Sequence, residues 1–180
     1  MSEKLFYCTT GSPIGELVLV GDGHRLHRLD VRGGRRPAPI DPAWQRNDGS
    51  LAGVSEQLLE YFDGARRQFD VELALGGKPF ERCVWEALRT IAYGATISYR
   101  ELAERIGKPS AARAVGLANG RNPVAVIVPC HRVIGADGTL TGYGGGLERK
   151  RFLLDLEAGV QTLTAGFDSR PLMTVCVAGS

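Results

Sequence analysis

The spacing of apolar residues changes once along this 180-residue chain, at Gly76-Gly77, and that change limits the folds open to it. Upstream, "SPIGELVLVGDGHRLHRLDV" reads as a β-hairpin: residues 17–20, a Gly21-Asp22-Gly23 turn, then residues 25–31. The Gly-, Pro- and charge-rich "RGGRRPAPIDPAWQRNDG" reads as a loop. A helix is expected over 50–63, with Leu51, Val54, Leu58, Tyr61 and Phe62 on one face and Gly64 as its stop. "FDVELAL", residues 69–75, alternates like a strand. Downstream the period becomes helical. Phe80, Val84, Ala87, Leu88 and Ile91 share a face of a helix running from Pro79 to Gly94, and Cys83 within it reads as a packing residue. "SYRELAERIG" has Ser98 and Glu101 at capping-box spacing and Gly107 as a C′ residue. After Lys108-Pro109, Ser110 is placed to cap "AARAVGLANG", so the two helices match a helix-turn-helix. The β-branched run 124–128 reads as a short buried strand ended by Pro129.

These elements describe an α+β protein. A small N-terminal α/β lobe, a hairpin-based sheet plus a helix, precedes a mostly helical C-terminal lobe with a winged helix-turn-helix-like motif. The lobes are expected over 1–77 and 78–160, with an extension of unassigned role over 161–180.

Composition excludes several classes. The longest apolar runs fall far short of the roughly 20 residues needed to cross a bilayer, and "MSEKLFYCTT" lacks the apolar core of a secretion signal. A cytoplasmic location with reduced thiols is therefore expected. Cys8, Cys83, Cys130 and Cys176 form no C-x-x-C pair, and His24 and His27 have only one thiol near them in sequence, so no metal is expected. Net charge is only +2, but its distribution is uneven. Residues 79–160 carry 11 basic against 8 acidic side chains, and the stretch from Arg105 to Ala136 holds Arg105, Lys108, Arg113, Arg121 and Arg132 with no acid. Such a stripe suits a polyanion or an ordinary solvated face equally well.

Within that stripe lies "IVPCHRVIG". Cys130 stands beside His131 at the end of the apolar run, where reactive groups are held by rigid elements. A thiol becomes nucleophilic as the thiolate, and an imidazole oriented by a carboxylate can take its proton. Adjacent side chains diverge, so a bridging water or a tight turn would have to link the two. Asp137, Glu148, Asp155 and Glu157 are all candidate carboxylates, and spacing does not choose among them. The helix "AARAVGLANG" is slim, with Ala111, Ala112, Ala114, Gly116 and Ala118, and Arg113 projects near its start.

"PCHRVIG", preceded by "ARAVGLANGRNPVAVIV" and followed by "GYGGGLERKRFLL", resembles the O6-alkylguanine-DNA alkyltransferases, or methylated-DNA–protein-cysteine methyltransferases. The resemblance is strong from Phe80 to Glu157 and includes "F-x-x-x-V-W" at 80–85 and "SYRELA" at 98–103; it is also visible at "SPIGELVLV" and "YFDG". It implies a ribonuclease-H-like first lobe and a DNA-binding, alkyl-accepting second one. By that resemblance Cys130 accepts the alkyl group from O6 of guanine, or from O4 of alkylthymine, in one irreversible, single-turnover displacement. His131 activates the thiol through a water, Glu157 holds His131, and Tyr99 protonates N3 of the departing base. Arg113 fills the stack where the nucleotide has flipped out, and Asn122 braces the active-site turn. Ala112, Ala114 and Gly116 line the minor-groove helix. Asn119, Val133, Tyr143, Gly144 and Gly145 form the substrate pocket. The implied partner is double-stranded DNA bound by a monomer, with no cofactor.

Two departures stand out. The zinc site of some members needs Cys and His positions not all present here. Asn119 is more polar than the residue often found at this position, which bears on the alkyl groups tolerated. Two other readings of the chain are a DNA-binding regulator without chemistry, and a Cys-His hydrolase, which would turn over repeatedly and have no use for Arg113.

Overall fold

The computed structural model describes residues 4–34 and 39–160; the extension over 161–180, with Cys176, lies outside the described residues. The chain divides into two compact units, the first running through Ala74 and the second beginning at Leu75.

In the first unit the hairpin forms as β2 (Leu17–Gly21) and β3 (Leu26–Val31), antiparallel, with an irregularity at Val20/Gly21. The aromatic and β-branched segment β1 (Phe6–Thr10), not read as a strand from the sequence, pairs antiparallel with β2. A two-residue β4 (Gln45–Arg46), inside the expected loop, adds in parallel to β1, giving the order β3-β2-β1-β4. All of β2 is buried, so side chains on both faces of the strand are covered. Helix α1 (Ala52–Phe62) buries Leu58, Tyr61 and Phe62, and Gly64 follows it at φ +75°. The expected strand over 69–75 is not one. It meets β3 only through Leu26, which donates to Glu72 O (2.8 Å) and accepts from Ala74 N (2.9 Å). The Gln57 side chain occupies the backbone groups of Asp70 instead of a ladder partner (2.8 and 2.9 Å).

The second unit is helical around a small parallel ribbon. Helix α2 (Pro79–Leu88) ends well short of Gly94. Beyond it Thr90 N and Ile91 N bond back only three residues, to Ala87 O and Leu88 O, in tight turns. Cys83 is exposed, because Val84, Trp85 and Leu88 set the buried face and Cys83 lies about 100° from Val84 around the helix. The Trp85 indole donates to Ala118 O (2.8 Å), tying α2 to α4 (Ala112–Asn119).

Helix α3 (Tyr99–Arg105) starts at the expected capping box. Ser98 Oγ accepts from Glu101 N (3.1 Å), and Glu101 Oε2 accepts from Ser98 N (2.6 Å). It ends in a Schellman turn, with Gly107 N on Glu104 O and Lys108 N on Ala103 O (both 2.9 Å). Ser110 does not cap α4. Pro109 opens a 3-10 turn, Pro109–Ala111, and Ala111 occupies the cap position without a side-chain bond.

Val124 and Val126–Val128 are buried as expected, but residues 124–128 are not a strand. Val128 N bonds to Val124 O (3.0 Å), Ile127 N to Ala125 O (2.9 Å), and Val126 sits at φ +70°. A β-branched residue in that region is strained and must be held by its surroundings. The Asn122 side chain supplies part of the hold: its Oδ1 accepts from Val124 N (3.0 Å) and its Nδ2 donates to Val128 O (2.8 Å). A 3-10 turn, Cys130–Arg132, follows and leads into β6 (Val133–Ile134), which pairs in parallel with β5 (Ile97–Ser98). The last element is α5 (Leu147–Glu157). Among the described residues no helix is long and apolar enough to cross a membrane.

Candidate active site

The β5–β6 ribbon builds the site. Tyr99 follows directly after β5 and Arg132 comes directly before β6, so pairing Ile97 with Val133 and Ser98 with Ile134 brings the start of α3 beside the cysteine turn. Cys130 and His131 are buried there. Of the four candidate carboxylates the structure selects Glu157, whose Oε1 lies 2.8 Å from His131 Nε2. A carboxylate only accepts, so Nε2 carries the proton and Nδ1 presents its lone pair. That Nδ1 is buried and bonded to none of the described residues.

Glu157 has further donors. Arg132 Nε and Nη2 grip its two oxygens (2.8 Å each), and Gly94 N reaches Oε2 (3.0 Å). Gly94 is at φ +75°, and a Cβ there would lie 3.2 Å from Glu157 O, so a glycine is needed at this approach. Arg132 Nη1 donates to Ile91 O (2.6 Å), a carbonyl the tight turns after α2 leave without an α-helical partner, and its guanidinium lies 5.7 Å from the Tyr93 ring centroid. Burial opposes ionisation of Glu157, but hydrogen bonds from His131 and Arg132 outweigh it and hold the carboxyl well below the usual range. Burial lowers the His131 pKa below 6.5, only partly offset by Glu157, so the imidazole rests neutral. Burial likewise raises the Cys130 thiol, opposed by the Asn122 side chain, the Lys150 charge and nearby backbone N–H groups.

Lys150 has no counterpart among the residues singled out by sequence. It is fully buried in α5, an unusual place for a lysine without a carboxylate. Its ammonium donates to Val133 O and to Thr141 O (2.7 Å) and lies 5.9 Å from the Tyr99 ring centroid. Burial lowers its pKa to about 8. Arg132 was legible only as part of the basic stripe. In the structure it faces inward, while Arg105, Lys108, Arg113 and Arg121 are exposed.

The other candidate residues fall into two groups. Tyr99 donates to Thr141 O (3.1 Å), and a Cβ on Gly116 would lie 3.7 Å from its ring, so α4 packs directly against Tyr99. Val133 is buried, and Tyr143 is buried with its hydroxyl unbonded among the described residues. Gly145 turns under the Tyr143 ring, where a Cβ would come within 2.7 Å, and Gly144 is exposed beside it. Asn119 reaches Cys130 O through Nδ2 (3.3 Å). These residues surround the cysteine turn. Arg113 and Ala114 instead stand exposed on the outer side of α4, with Ala112 half-buried before them. Among the described residues no group of three or more His, Cys, Asp or Glu side chains comes together to hold a metal ion.

Comparison with known proteins accounts for nearly the whole described chain. Residues 79–159 match the family described as 6-O-methylguanine DNA methyltransferase, DNA binding domain, and residues 5–75 match its ribonuclease-like domain. The methylated-DNA–protein-cysteine methyltransferase of Mycobacterium tuberculosis is 54% identical over 153 residues, covering 85% of this chain and 92% of the relative. The protein of the same name from Methanosarcina acetivorans is 48% identical over 153 residues, covering 85% and 98%. The crystal structure of Mycobacterium tuberculosis OGT in complex with DNA superposes with a TM-score of 0.83 at 52% identity, covering 88% of this chain and 96% of that one.

Proposed function

The chain belongs to the 6-O-methylguanine DNA methyltransferase family, and from that premise we propose that it repairs DNA by moving the alkyl group of O6-alkylguanine onto Cys130. The observation that carries this reading is the buried relay in which Glu157 holds His131 Nε2–H and leaves Nδ1 as a base beside the thiol turn. Nδ1 takes the Cys130 proton, through a water where the two side chains diverge, and Glu157 stabilises the imidazolium that forms. Arg132 neutralises Glu157 at rest, and the buried ammonium of Lys150 favours the thiolate.

The thiolate attacks the sp³ alkyl carbon in line. The C–O6 bond breaks as the C–S bond forms, and its electrons pass to the guanine. Tyr99 protonates N3 of the departing base, exchanging its bond to Thr141 O for one to the substrate. The product is a thioether, and nothing in the site reduces it, so each molecule acts once, as a monomer and without a cofactor. The same displacement extends to O4-alkylthymine.

The crystal structure of the Mycobacterium tuberculosis relative with DNA supports DNA as the partner, which we take to be duplex. A base inside a duplex is out of reach of a buried thiol, so the damaged nucleotide flips out from the minor groove. The outer side of α4, with Ala112 and Ala114, is slim enough to lie in that groove, Gly116 lets the helix seat closely on Tyr99, and Arg113 fills the vacated stack. These properties fit the cytoplasm as the place of action.

The test is to incubate the protein with a duplex carrying O6-methylguanine and map its peptides by mass. A methyl on the Cys130 peptide is the expected result. DNA binding with an unmodified Cys130 would move the reading to a regulator without chemistry.

A further inference from the structure

Glu157 has two basic partners, and a buried carboxylate needs only one cation to balance it. The side chains of Glu157 and His131 are fully buried, and that of Arg132 is 8% exposed. Arg132 has the stronger claim by geometry. Its Nε and Nη2 bind both carboxylate oxygens at 2.8 Å, whereas His131 Nε2 reaches Oε1 alone. Its Nη1 is fixed on Ile91 O (2.6 Å), and the Tyr93 ring centroid lies 5.7 Å from the guanidinium. A guanidinium does not give up its proton, so the carboxylate is balanced at every working pH before the imidazole carries any charge.

The other groups around the imidazole work with Arg132. Lys150, from α5, is a second cation that opposes a proton on His131. Cys130, on the same turn, is kept a thiol at rest by burial. The segment after α2 contributes Ile91 O, Gly94 N and the Tyr93 ring, which engage Arg132 and Glu157. Glu157 is therefore the one charged group that favours the imidazolium, and Arg132 already occupies both of its oxygens. Without Arg132 the carboxylate would draw its balancing charge from His131, forming an imidazolium–carboxylate pair at rest. Nδ1 would then hold a proton and could take none from Cys130.

We propose that Arg132 is what keeps His131 a base: by supplying the cation that the buried Glu157 carboxylate requires, it leaves the imidazole uncharged at rest, with Nδ1 open to the Cys130 proton. This rests on the reading of Cys130 as alkyl acceptor and His131 as its base. Arg132 is thereby a positioning residue, acting on the thiol only through Glu157 and His131. When the thiol proton arrives on Nδ1, the new imidazolium shares Glu157 with Arg132, and the matching negative charge is the thiolate itself.

Two variants separate charge from hydrogen bonding. Arg132→Lys keeps the cation and loses the fork, whereas Arg132→Gln keeps an amide that can donate to Glu157 and removes the charge. The resting state is read without DNA, from the ring chemical shifts of His131 in a pH titration followed by NMR. The working state is read from the pH profile of single-turnover transfer from an O6-methylguanine duplex. In Arg132→Gln the His131 midpoint and the acid limb of transfer should both move up by about one pH unit or more, and the rate should recover as pH rises through the new midpoint. Arg132→Lys should leave both midpoints near those of the wild type. A structural role alone would slow both variants at every pH and move neither midpoint, and that result would overturn the proposal. Midpoints that move equally in the two variants would do the same. A wild-type His131 that titrates above pH 7 would overturn it whether or not the variants fold. A wild type whose His131 titrates below the ordinary value of 6.5, but which takes no methyl on Cys130, would instead refute the underlying reading of Cys130.

Discussion

Replacing Glu157 by Gln keeps the shape of the side chain and removes its charge. The carboxylate takes hydrogen bonds from His131 Nε2, Arg132 Nε, Arg132 Nη2 and Gly94 N, all between 2.8 and 3.0 Å. A glutamine amide has one acceptor oxygen, and its NH₂ would point at a donor. Arg132 is left as a buried cation with half its partner, and breaking such a pair costs about 3–5 kcal/mol. With a urea m-value of about 2 kcal/mol/M, the unfolding midpoint should drop by roughly 1.5–2.5 M. The pH dependence has a definite sign. A carboxyl whose folded pKa is depressed binds fewer protons in the folded state than in the unfolded one. Its stabilisation is fully present above the unfolded value, about 4.3, and is lost as pH falls toward the folded one. Glu157→Gln should therefore flatten the acid limb of the stability profile. In methyl transfer, followed by quenched time points on a labelled duplex, the imidazolium loses its counter-charge and His131 becomes a weaker base, slowing transfer by about a hundredfold or more. Arg132→Met in the same chain removes the stranded cation, and should recover stability while leaving transfer slow. A Glu157→Gln protein with a wild-type midpoint and wild-type rate would refute the relay.

Three further outcomes are expected. The neutral resting His131 places the acid limb of the transfer rate below the ordinary imidazole value of 6.5: a group with a lowered pKa stays unprotonated as pH falls through 6.5, and a rate profile breaking above 7 would contradict this. Arg113→Ala should slow transfer from duplex O6-methylguanine at least tenfold, the scale of unstacking a base, while transfer from free O6-benzylguanine stays unchanged; equal losses on both would tie Arg113 to the chemistry. Gly142 sits at φ +58°, and a Cβ there would lie 3.1 Å from the Tyr99 hydroxyl, so Gly142→Ala should cost about 1–2 kcal/mol from the backbone and slow transfer by misplacing Tyr99, read as a fall in rate without loss of DNA affinity.

Lys150→Met offers a test free of DNA. Burial pushes the Cys130 thiol up and the Lys150 charge is among the influences pulling it down. Without that cation, iodoacetamide should modify Cys130 more slowly at neutral pH, with its alkylation midpoint moved to higher pH. An unmoved midpoint would show that Lys150 only anchors Val133 O and Thr141 O.

Local signals in the sequence suffice where the structure depends on local chemistry. Ser98 and Glu101 cap α3 because both partners lie within one turn, and the hairpin of β2 and β3 follows from two short apolar-rich runs around a glycine turn. Local signals do not suffice where distant contacts decide. Residues 124–128 have strand propensity, but Asn122 bonds both ends of a turn that places Val126 at positive φ. Cys130 and His131 were legible as neighbours at the end of an apolar run, whereas the pairing of His131 with Glu157 required knowing where α5 ends in space. Arg132 and Lys150 went unrecognised because a cation reads as surface until its buried partners are seen. For Arg132 those are Glu157 and Ile91 O; for Lys150 they are the carbonyls of Val133 in β6 and of Thr141 on the loop after it. The adjacency of Arg132 to the cysteine in "PCHR" was the one available hint.

The central claim is that Cys130 accepts an alkyl group once, and it is tested most directly by titration. With a large excess of duplex carrying labelled O6-methylguanine, transferred methyl should plateau at one per protein molecule, all of it on Cys130. A count that keeps rising past one, or a plateau reached with Cys130 unmodified, would contradict it.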